Sequence, residues 1–205
     1  MPWYVQNTHV HTVSCSTVHK RWRAQTLARA HADVFVCGCV VAGGRPCARA
    51  GSIDLDASIV CGTTVSGGKH KGTVYYSNKR LFNGAIKHEG DNQTGDGQGD
   101  DEVIRLDLDN IPADVKSLHV TVNAYTGTFS DVRDAYVRLV AIKTGHELAR
   151  FVLSNDHVKS GVVFAKISRI DGQPGAWRLL AIGTQCGGRT ATSEETKKAC
   201  SISTN

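Results

Sequence analysis

The sequence GDNQTGDGQGDDEVIRLDL, residues 90–108, joins an acidic, glycine-rich loop to a run in which apolar and polar residues alternate. Residues 90–102 hold five carboxylates and four glycines without a basic side chain, so their negative charges have no partner within the stretch. Residues 103–108 alternate with period two, as one face of a half-buried strand does. The stretch therefore predicts a β-protein in which an acidic loop leads directly into a strand.

The composition of this loop favours a hard divalent cation. Calcium takes six to eight oxygen ligands from carboxylates, amides and backbone carbonyls, and the loop offers all three kinds. Its glycines allow the backbone conformations that turn carbonyls inward. A phosphate-binding loop is excluded because it needs a Lys facing an anion, whereas the charges here are all negative. The alternative that stays open is a solvated acidic hairpin loop.

An EF-hand does not fit the same residues, although Asp91 to Glu102 spans twelve positions with an acid at each end. Gln93 and Gly95 occupy the third and fifth positions, and Asp96 stands where that motif requires Gly. The strand pattern that follows also replaces the helix of an EF-hand. A calcium site here would be a β-loop site.

A second acidic pattern lies in residues 53–59, where alternation places Asp54, Asp56 and Ser58 on one face of a strand. Two like charges that project side by side are unfavourable unless water or a cation separates them. Asp54 and Asp56 are therefore candidates to complete the site of the acidic loop. The alternative is an exposed strand face.

The rest of the chain predicts an all-β fold, an antiparallel β-sandwich with long irregular loops. Short strand patterns recur with turn signals between them, and residues 77–87 read as an irregular connection. The predicted strands are residues 34–41, 53–59, 73–76, 103–108, 118–124, 135–142, 146–153, 162–170 and 176–182.

We predict three segments along the chain. Residues 1–33 form a basic, diverged or disordered arm, in which residues 20–30 have the pattern of a basic helix; residues 34–186 form the sandwich; residues 187–205, rich in Ser, Thr and Lys, form a disordered tail. The net charge of +5 lies entirely in residues 1–50, so we expect no nucleic-acid partner.

The composition also sets expectations about the environment of the chain. No stretch reaches the roughly 20 apolar residues of a membrane helix, so we expect no membrane span. The seven cysteines, without a recognisable secretory signal, are expected to be reduced thiols. We expect a cytoplasmic protein, and organelle targeting by the basic arm stays open.

Several of these motifs together resemble the TerD-type tellurium-resistance and stress-response family. The resemblance covers about residues 51–184, and the acidic motif is its most specific part. The N-terminal third departs from the family, whose members open with two strands containing Gly and Lys, so the N-terminal strands of the sandwich could be incomplete. The matching stretches are residues 54–58, 88–92, 94–102, 122–127, 134–140, 144–151, 176–178 and 181–183.

The resemblance implies a calcium-binding β-sandwich that holds the metal between the acidic loop and the strand at 54–56. It also implies a module that is linked to stress response and has no established catalytic chemistry. Our leading hypothesis is that calcium orders the loop and so presents a surface to an unknown protein partner. Position by position, the implied calcium ligands are Asp54, Asp56, Asp91, Asn92, Asp100, Asp101 and Glu102, with Thr94 and Asp96 as further candidates.

Two other functions stay open at this point. Slime-mould relatives suggest a module that binds a cyclic nucleotide or another small ligand, although no nucleotide-binding pattern occurs in the sequence. A hydrolase could use paired acids such as Asp100 with Asp101, or His88 with Glu89. These acids lie on a Gly-rich loop without the motif context of a nucleophile, so we expect a protein that is not an enzyme.

Overall fold

Two stacked sheets build the protein in the computed structural model, which describes residues 12–14, 25–27, 33–37, 54–64, 69–91, 100, 102–131, 136–152 and 159–202. Two short 3₁₀ turns, Phe82–Gly84 and Phe129–Asp131, and one helix, α1 at Glu194–Ile202, accompany the strands. The strands are β1 Thr12–Ser14, β2 Gln25–Leu27, β3 Asp33–Cys37, β4 Leu55–Gly62, β5 His70–Val74, β6 Arg80–Leu81, β7 Ile86–His88, β8 Val103–Asp107, β9 Ser117–Ala124, β10 Tyr136–Ala141, β11 His146–Val152, β12 Gly161–Arg169 and β13 Trp177–Cys186.

The strand order confirms the predicted all-β, antiparallel β-sandwich. One sheet has seven strands in the order β1-β11-β10-β3-β8-β7-β6, and the other has six in the order β2-β13-β12-β9-β4-β5. Neighbouring strands pair antiparallel except β1 and β11, which are parallel. The acidic loop is the connection between the paired strands β7 and β8.

The core lies between the sheets and follows the predicted alternation. Leu55, Ala57 and Ile59 of β4 point inward, and so do the even-numbered apolar residues of β9. Trp177, Phe129 and Phe164 are the largest fully buried side chains of this core. Alternation puts Asp56 and Ser58 on the opposite side of β4, facing away from this core.

The C-terminal segment covers part of the outer face of the six-stranded sheet. Helix α1 contacts β12 and β13, and Ala199 and Cys200 pack against Val60 and Val163 of the sheet. The prediction of a disordered tail over 187–205 is therefore wrong for residues 194–202. The polar composition of the tail hid a narrow buried stripe, which starts at Thr196 and recurs at helical spacing.

The N-terminal third contributes strands to both sheets. β3 lies between β10 and β8, inside the seven-stranded sheet, while β1 and β2 lie at the sheet edges. The prediction of a helix over 20–30 is wrong at β2, which pairs with Trp177–Leu179 of β13. The free edge of a sheet supplies backbone hydrogen-bond partners, and these override the local helix propensity. The boundary at residue 33 stays a prediction.

The irregular connection expected at 77–87 is more regular than its sequence suggests, because it contains β6, a 3₁₀ turn and the start of β7. These strands have only two and three residues, too short for alternation to be read. Asn83 lies in this turn with a φ of 54°, a left-handed conformation that Asn tolerates better than most residues.

Three of the cysteines, Cys61, Cys186 and Cys200, are buried free thiols. Burial raises the pKa of Cys61 to about 12, and burial together with the neighbouring Cys186 does the same for Cys200. The thiols of Cys61 and Cys200 are therefore protonated at neutral pH and act as small apolar side chains. None of the helices in the described residues is long and apolar enough to cross a membrane.

Candidate metal centre

Three carboxylates from two sheets converge at the end of the acidic loop. Asp54 immediately precedes β4, Asp56 is the second residue of β4, and Asp91 lies three residues beyond β7. One carboxylate oxygen of each lies within 4.8 Å of the others. Such a separation suits one cation, since calcium–oxygen bonds of roughly 2.3–2.6 Å allow ligand oxygens to stand this far apart.

The hairpin that carries Asp91 is closed at its base. The Glu89 N–H donates to the carbonyl of Val103 across 2.8 Å, and His88 pairs with Ile104 in the ladder between β7 and β8. The ends of the acidic loop are thereby held together, which positions Asp91 at one end and Glu102 at the other. Residues 92–99 lie outside the described residues.

Glu102 links the loop to β4. Its Oε2 accepts a hydrogen bond of 2.6 Å from the Ala57 N–H. β5 pairs with β4 only from Ile59 onward, so Glu102 takes the place that a neighbouring strand would fill. The Glu102 side chain is 1% exposed, and His88 Nε2 lies 3.8 Å from its Oε2.

Several carboxylate oxygens of this cluster are buried without a hydrogen-bond donor in the described part of the chain, which is the environment that a hard cation would satisfy. Asp56 is only 3% exposed, yet its Oδ2 has no hydrogen-bond donor among the described residues. The same holds for Asp54 Oδ1 and Glu102 Oε1. Buried carboxylate oxygens without donors cost free energy unless a cation or water satisfies them. An all-oxygen set of this kind fits calcium better than the softer metals, which favour sulfur and imidazole.

The electrostatics agree with that fit. Burial raises the pKa of Asp56 to about 8, and the charges of Asp54, Glu102 and Asp91 add to the rise. Burial and the charge of Asp91 raise the pKa of Asp54, and burial raises that of Glu102 against the opposing effects of His88 and the Ala57 N–H. Without a cation, this cluster therefore favours protonated carboxyl groups.

Asp100 points to a different group of residues. Its Oδ2 accepts from Arg138 Nη2 across 2.6 Å, and its Oδ1 accepts from the Tyr136 hydroxyl across 3.4 Å. Arg138 also lies 3.7 Å from Glu147, and Arg150 stacks on the Tyr136 ring at 3.9 Å. Asp100 and Arg138 are 38 residues apart in the sequence, so only the fold brings them together.

The proposed ligands thus divide into three groups. The structure gathers Asp54, Asp56 and Asp91 around one point, with Glu102 beside Asp56. It places Asp100 against Arg138. The remaining candidates lie outside the described residues: Asn92, Thr94, Asp96 and Asp101.

Tyrosines that border the carboxylates were not predicted from the sequence. Tyr76 contacts Tyr75 and Tyr125 edge to face, with ring centroids 5.1 and 6.4 Å away. The charges of Asp56 and Asp54 help to raise the pKa of Tyr76, after burial, and the Tyr125 N–H donates to the Asp54 carbonyl. Tyr125 is 50% exposed, so these rings form an accessible aromatic rim.

Fold and site together define a β-sandwich protein in which an acidic hairpin loop and the start of a strand in the opposite sheet gather a carboxylate cluster. The model of the TerD domain matches residues 17–191, and the chain belongs to this family.

Similar proteins agree with this assignment. The chain is 42% identical to tellurium resistance protein TerZ of Serratia marcescens over 140 residues, 68% of this chain and 69% of TerZ. It is 30% identical to stress response protein SCP2 of Bacillus subtilis over 150 residues, 70% of this chain and 71% of SCP2. A solved homologue of telluride resistance protein TerD from Streptomyces coelicolor has the same fold, with a TM-score of 0.63 at 20% identity over 78% of this chain and 93% of its own.

Proposed function

We propose that this chain is a calcium-binding, non-catalytic module of the TerD type that acts in a stress response. Calcium binding is supported by the convergence of Asp54, Asp56 and Asp91 within 4.8 Å. Asp54 Oδ1 and Asp56 Oδ2 are buried and have no hydrogen-bond donor among the described residues. The association with stress rests on the relatives TerZ and SCP2, which are named for tellurium resistance and stress response.

Each acidic residue of the cluster would have its own role in calcium binding. Asp54 and Asp56 bind from the rigid strand β4, and Asp91 binds from the acidic loop. Glu102, held by the Ala57 N–H, adds a further negative charge that acts on Asp56. A bound calcium ion supplies two positive charges that offset the repulsion among these carboxylates.

The acidic loop would complete the ligand set with oxygens from Asn92, Thr94, Asp96 and Asp101. Its four glycines let the backbone fold closely around the site. Arg138 holds Asp100 at the far end of the loop, which limits the conformations that the loop can adopt. Calcium binding and this ion pair would together order the loop.

The ordered loop would then present a surface to a protein partner. The aromatic rim of Tyr75, Tyr76 and Tyr125 borders the site, and tyrosines are enriched at protein interfaces because they combine an apolar ring with a polar end. The partner surface would therefore combine the loop with this rim. Its dependence on calcium follows from the position of the loop.

Calorimetric titration of the full chain with CaCl₂ tests this function. We expect saturable binding at about 10⁻⁷–10⁻⁵ M, the range of calcium sensors. Asp56→Asn removes a central ligand and should abolish binding, whereas Asp171→Asn, in an exposed turn, should leave it unchanged. A wild-type chain that is folded by circular dichroism and gives no binding heat would overturn the proposal.

A further inference from the structure

Asn123 of β9 lies directly opposite Asp56 of β4 in the ladder. Opposite residues of antiparallel strands project to the same face, and their Cβ atoms are about 4.5–5.5 Å apart. Asn123 is fully buried on the outer face of the sheet. An amide side chain therefore stands beside the most buried carboxylate of the cluster.

The hydrogen bonds of Asn123 fix the orientation of its amide. Its Nδ2 donates to the Gly188 carbonyl across 2.7 Å and to Thr196 Oγ1 across 3.1 Å. A carbonyl oxygen only accepts, so the nitrogen must face the C-terminal segment and the oxygen must face away from it. Asn123 Oδ1 is buried and has no donor among the described residues, and the same is true of Asp56 Oδ2.

These two acceptors lie on opposite residues and have no donor in the described part of the chain, so one partner that is positive or can donate could satisfy both. We propose that Asn123 Oδ1 is a further ligand of the cation that binds the carboxylate cluster, and that the same amide couples cation binding to docking of residues 187–202. This inference rests on the proposed function. It assigns to one side chain both an oxygen for the cation and two hydrogen bonds for the C-terminal segment.

The docking is tight enough to transmit such coupling. A Cβ added at Gly188 would lie 2.1 Å from both Ser193 Oγ and Thr196 Oγ1, and one at Gly161 would lie 2.7 Å from Asn123 Nδ2. The C-terminal segment therefore packs on Asn123 without spare room. A displaced amide cannot keep the contacts to Gly188 and Thr196.

A second contact joins the same two regions. Arg189 donates to the Tyr125 carbonyl across 3.2 Å, and the Tyr125 N–H donates to the Asp54 carbonyl across 2.9 Å. The C-terminal segment thus touches the end of β9 at two residues, each paired with an aspartate of the cluster. Because coupling is reciprocal, a bound cation should stabilise the docked helix, and the docked helix should strengthen cation binding.

Europium luminescence tests the ligand role, with Eu³⁺ as the probe of the calcium site. Lifetimes in H₂O and D₂O count the water molecules bound to the ion. Asn123→Ala should gain about one water relative to wild type, because water replaces the amide oxygen. Asn110→Ala, which removes an exposed amide, is the matched control and should show no change. An unchanged water count in Asn123→Ala would overturn the ligand role.

Hydrogen exchange tests the coupling in the full chain. We expect calcium to slow amide exchange in helix α1 by at least about fivefold, the lower end of typical allosteric effects. Thr196→Val keeps the Asn123 oxygen but loses one of its docking partners, so it should weaken calcium binding about fivefold. Glu194→Gln, on the exposed side of the same helix, should leave the affinity unchanged.

The outcomes separate the two proposals. If the wild type binds calcium while exchange in α1 and the affinity of Thr196→Val stay unchanged, the coupling is overturned and the proposed function stands. If the folded wild type binds no calcium, both fall. Thr196→Val keeps the coupling testable if Asn123→Ala does not fold.

Discussion

Replacing Asp56 by Asn should stabilise the cation-free protein while it removes the response to calcium. Burial and three neighbouring carboxylates raise the pKa of Asp56 from 3.8 to about 8. Folding at pH 7 must therefore keep a proton that the unfolded chain releases, and each pKa unit corresponds to about 1.4 kcal/mol. Over the roughly three units between 3.8 and 7, this costs about 4 kcal/mol.

The amide of Asn offsets part of the gain, because its own unsatisfied burial costs about 2 kcal/mol. The net stabilisation is then about 2 kcal/mol, which corresponds to a rise in Tm of about 4–8 °C for a chain of this size. Calcium at 100 times its dissociation constant should add about 2.7 kcal/mol to wild type and far less to Asp56→Asn. The difference in stability between Asp56→Asn and wild type should therefore become smaller, or change sign, when calcium is present.

The pH dependence of stability tests the predicted sign of the Asp56→Asn effect independently. The folded pKa of Asp56 lies above its unfolded value, so its contribution to stability is fully present below about pH 4 and is lost as the pH rises towards 8. The advantage of Asp56→Asn in EDTA should accordingly be largest near pH 8 and disappear near pH 5.

Thermal melts in EDTA and in calcium, at pH 5 and pH 8, measure these differences. Asp171→Asn is the matched control, because Asp171 is exposed in a turn that Asn fits equally well, and its stability should change by less than about 0.5 kcal/mol. If Asp56→Asn melts lower than wild type in EDTA at pH 8, the electrostatic account of this site is wrong.

Three further predictions concern the site, the core and the C-terminal segment. Calcium binding near pH 7 should release about one proton, because the pKa of Asp56 is about 8 before binding. Calorimetry in two buffers with different ionisation enthalpies measures the number of protons released, and no release would contradict the role of Asp56 as a calcium ligand. Phe164→Ala should cost about 3–5 kcal/mol in chemical denaturation because the ring is fully buried, whereas Ile202→Ala, 63% exposed, should change stability little. Gly188→Ala should cost about 1–3 kcal/mol, since its Cβ would overlap two hydroxyl oxygens, while Gly187→Ala meets nothing within 4 Å; equal denaturation midpoints would show that the segment is not tightly docked.

Local pattern predicted the parts of the fold in which neighbours along the chain settle the outcome. Period-two alternation identified β4, β8 and β9, because a strand with one buried face must alternate. The bounds of β8 and β9 were correct to within one residue, whereas β4 begins two residues later and ends three residues later than predicted. The same alternation placed Asp54 and Asp56 together. It did not reveal that the outer face of β4 is also buried, because the covering helix lies more than 130 residues away in the sequence.

The candidate metal site also combines features that the local sequence predicts with contacts that only the fold creates. Charge and glycine content pointed to the acidic loop, since carboxylates without local partners require something positive. The pairing of Asp100 with Arg138 left no trace in the sequence, because an ion pair depends on distance in space and both residue types are common on surfaces. The bond from Ala57 to Glu102 was equally hidden, because it fills a gap where β5 ends.

The amino-acid sequence by itself determined that this chain is an antiparallel β-sandwich of the TerD type with an acidic, glycine-rich loop, because alternation, turn residues and charge density are local properties. Only the tertiary structure decided which acids meet. Two sheets had to stack before Asp91 could approach Asp54 and Asp56, and helix α1 had to dock before Asn123 had its present partners. The burial that raises the pKa of Asp56 exists only in that assembled arrangement.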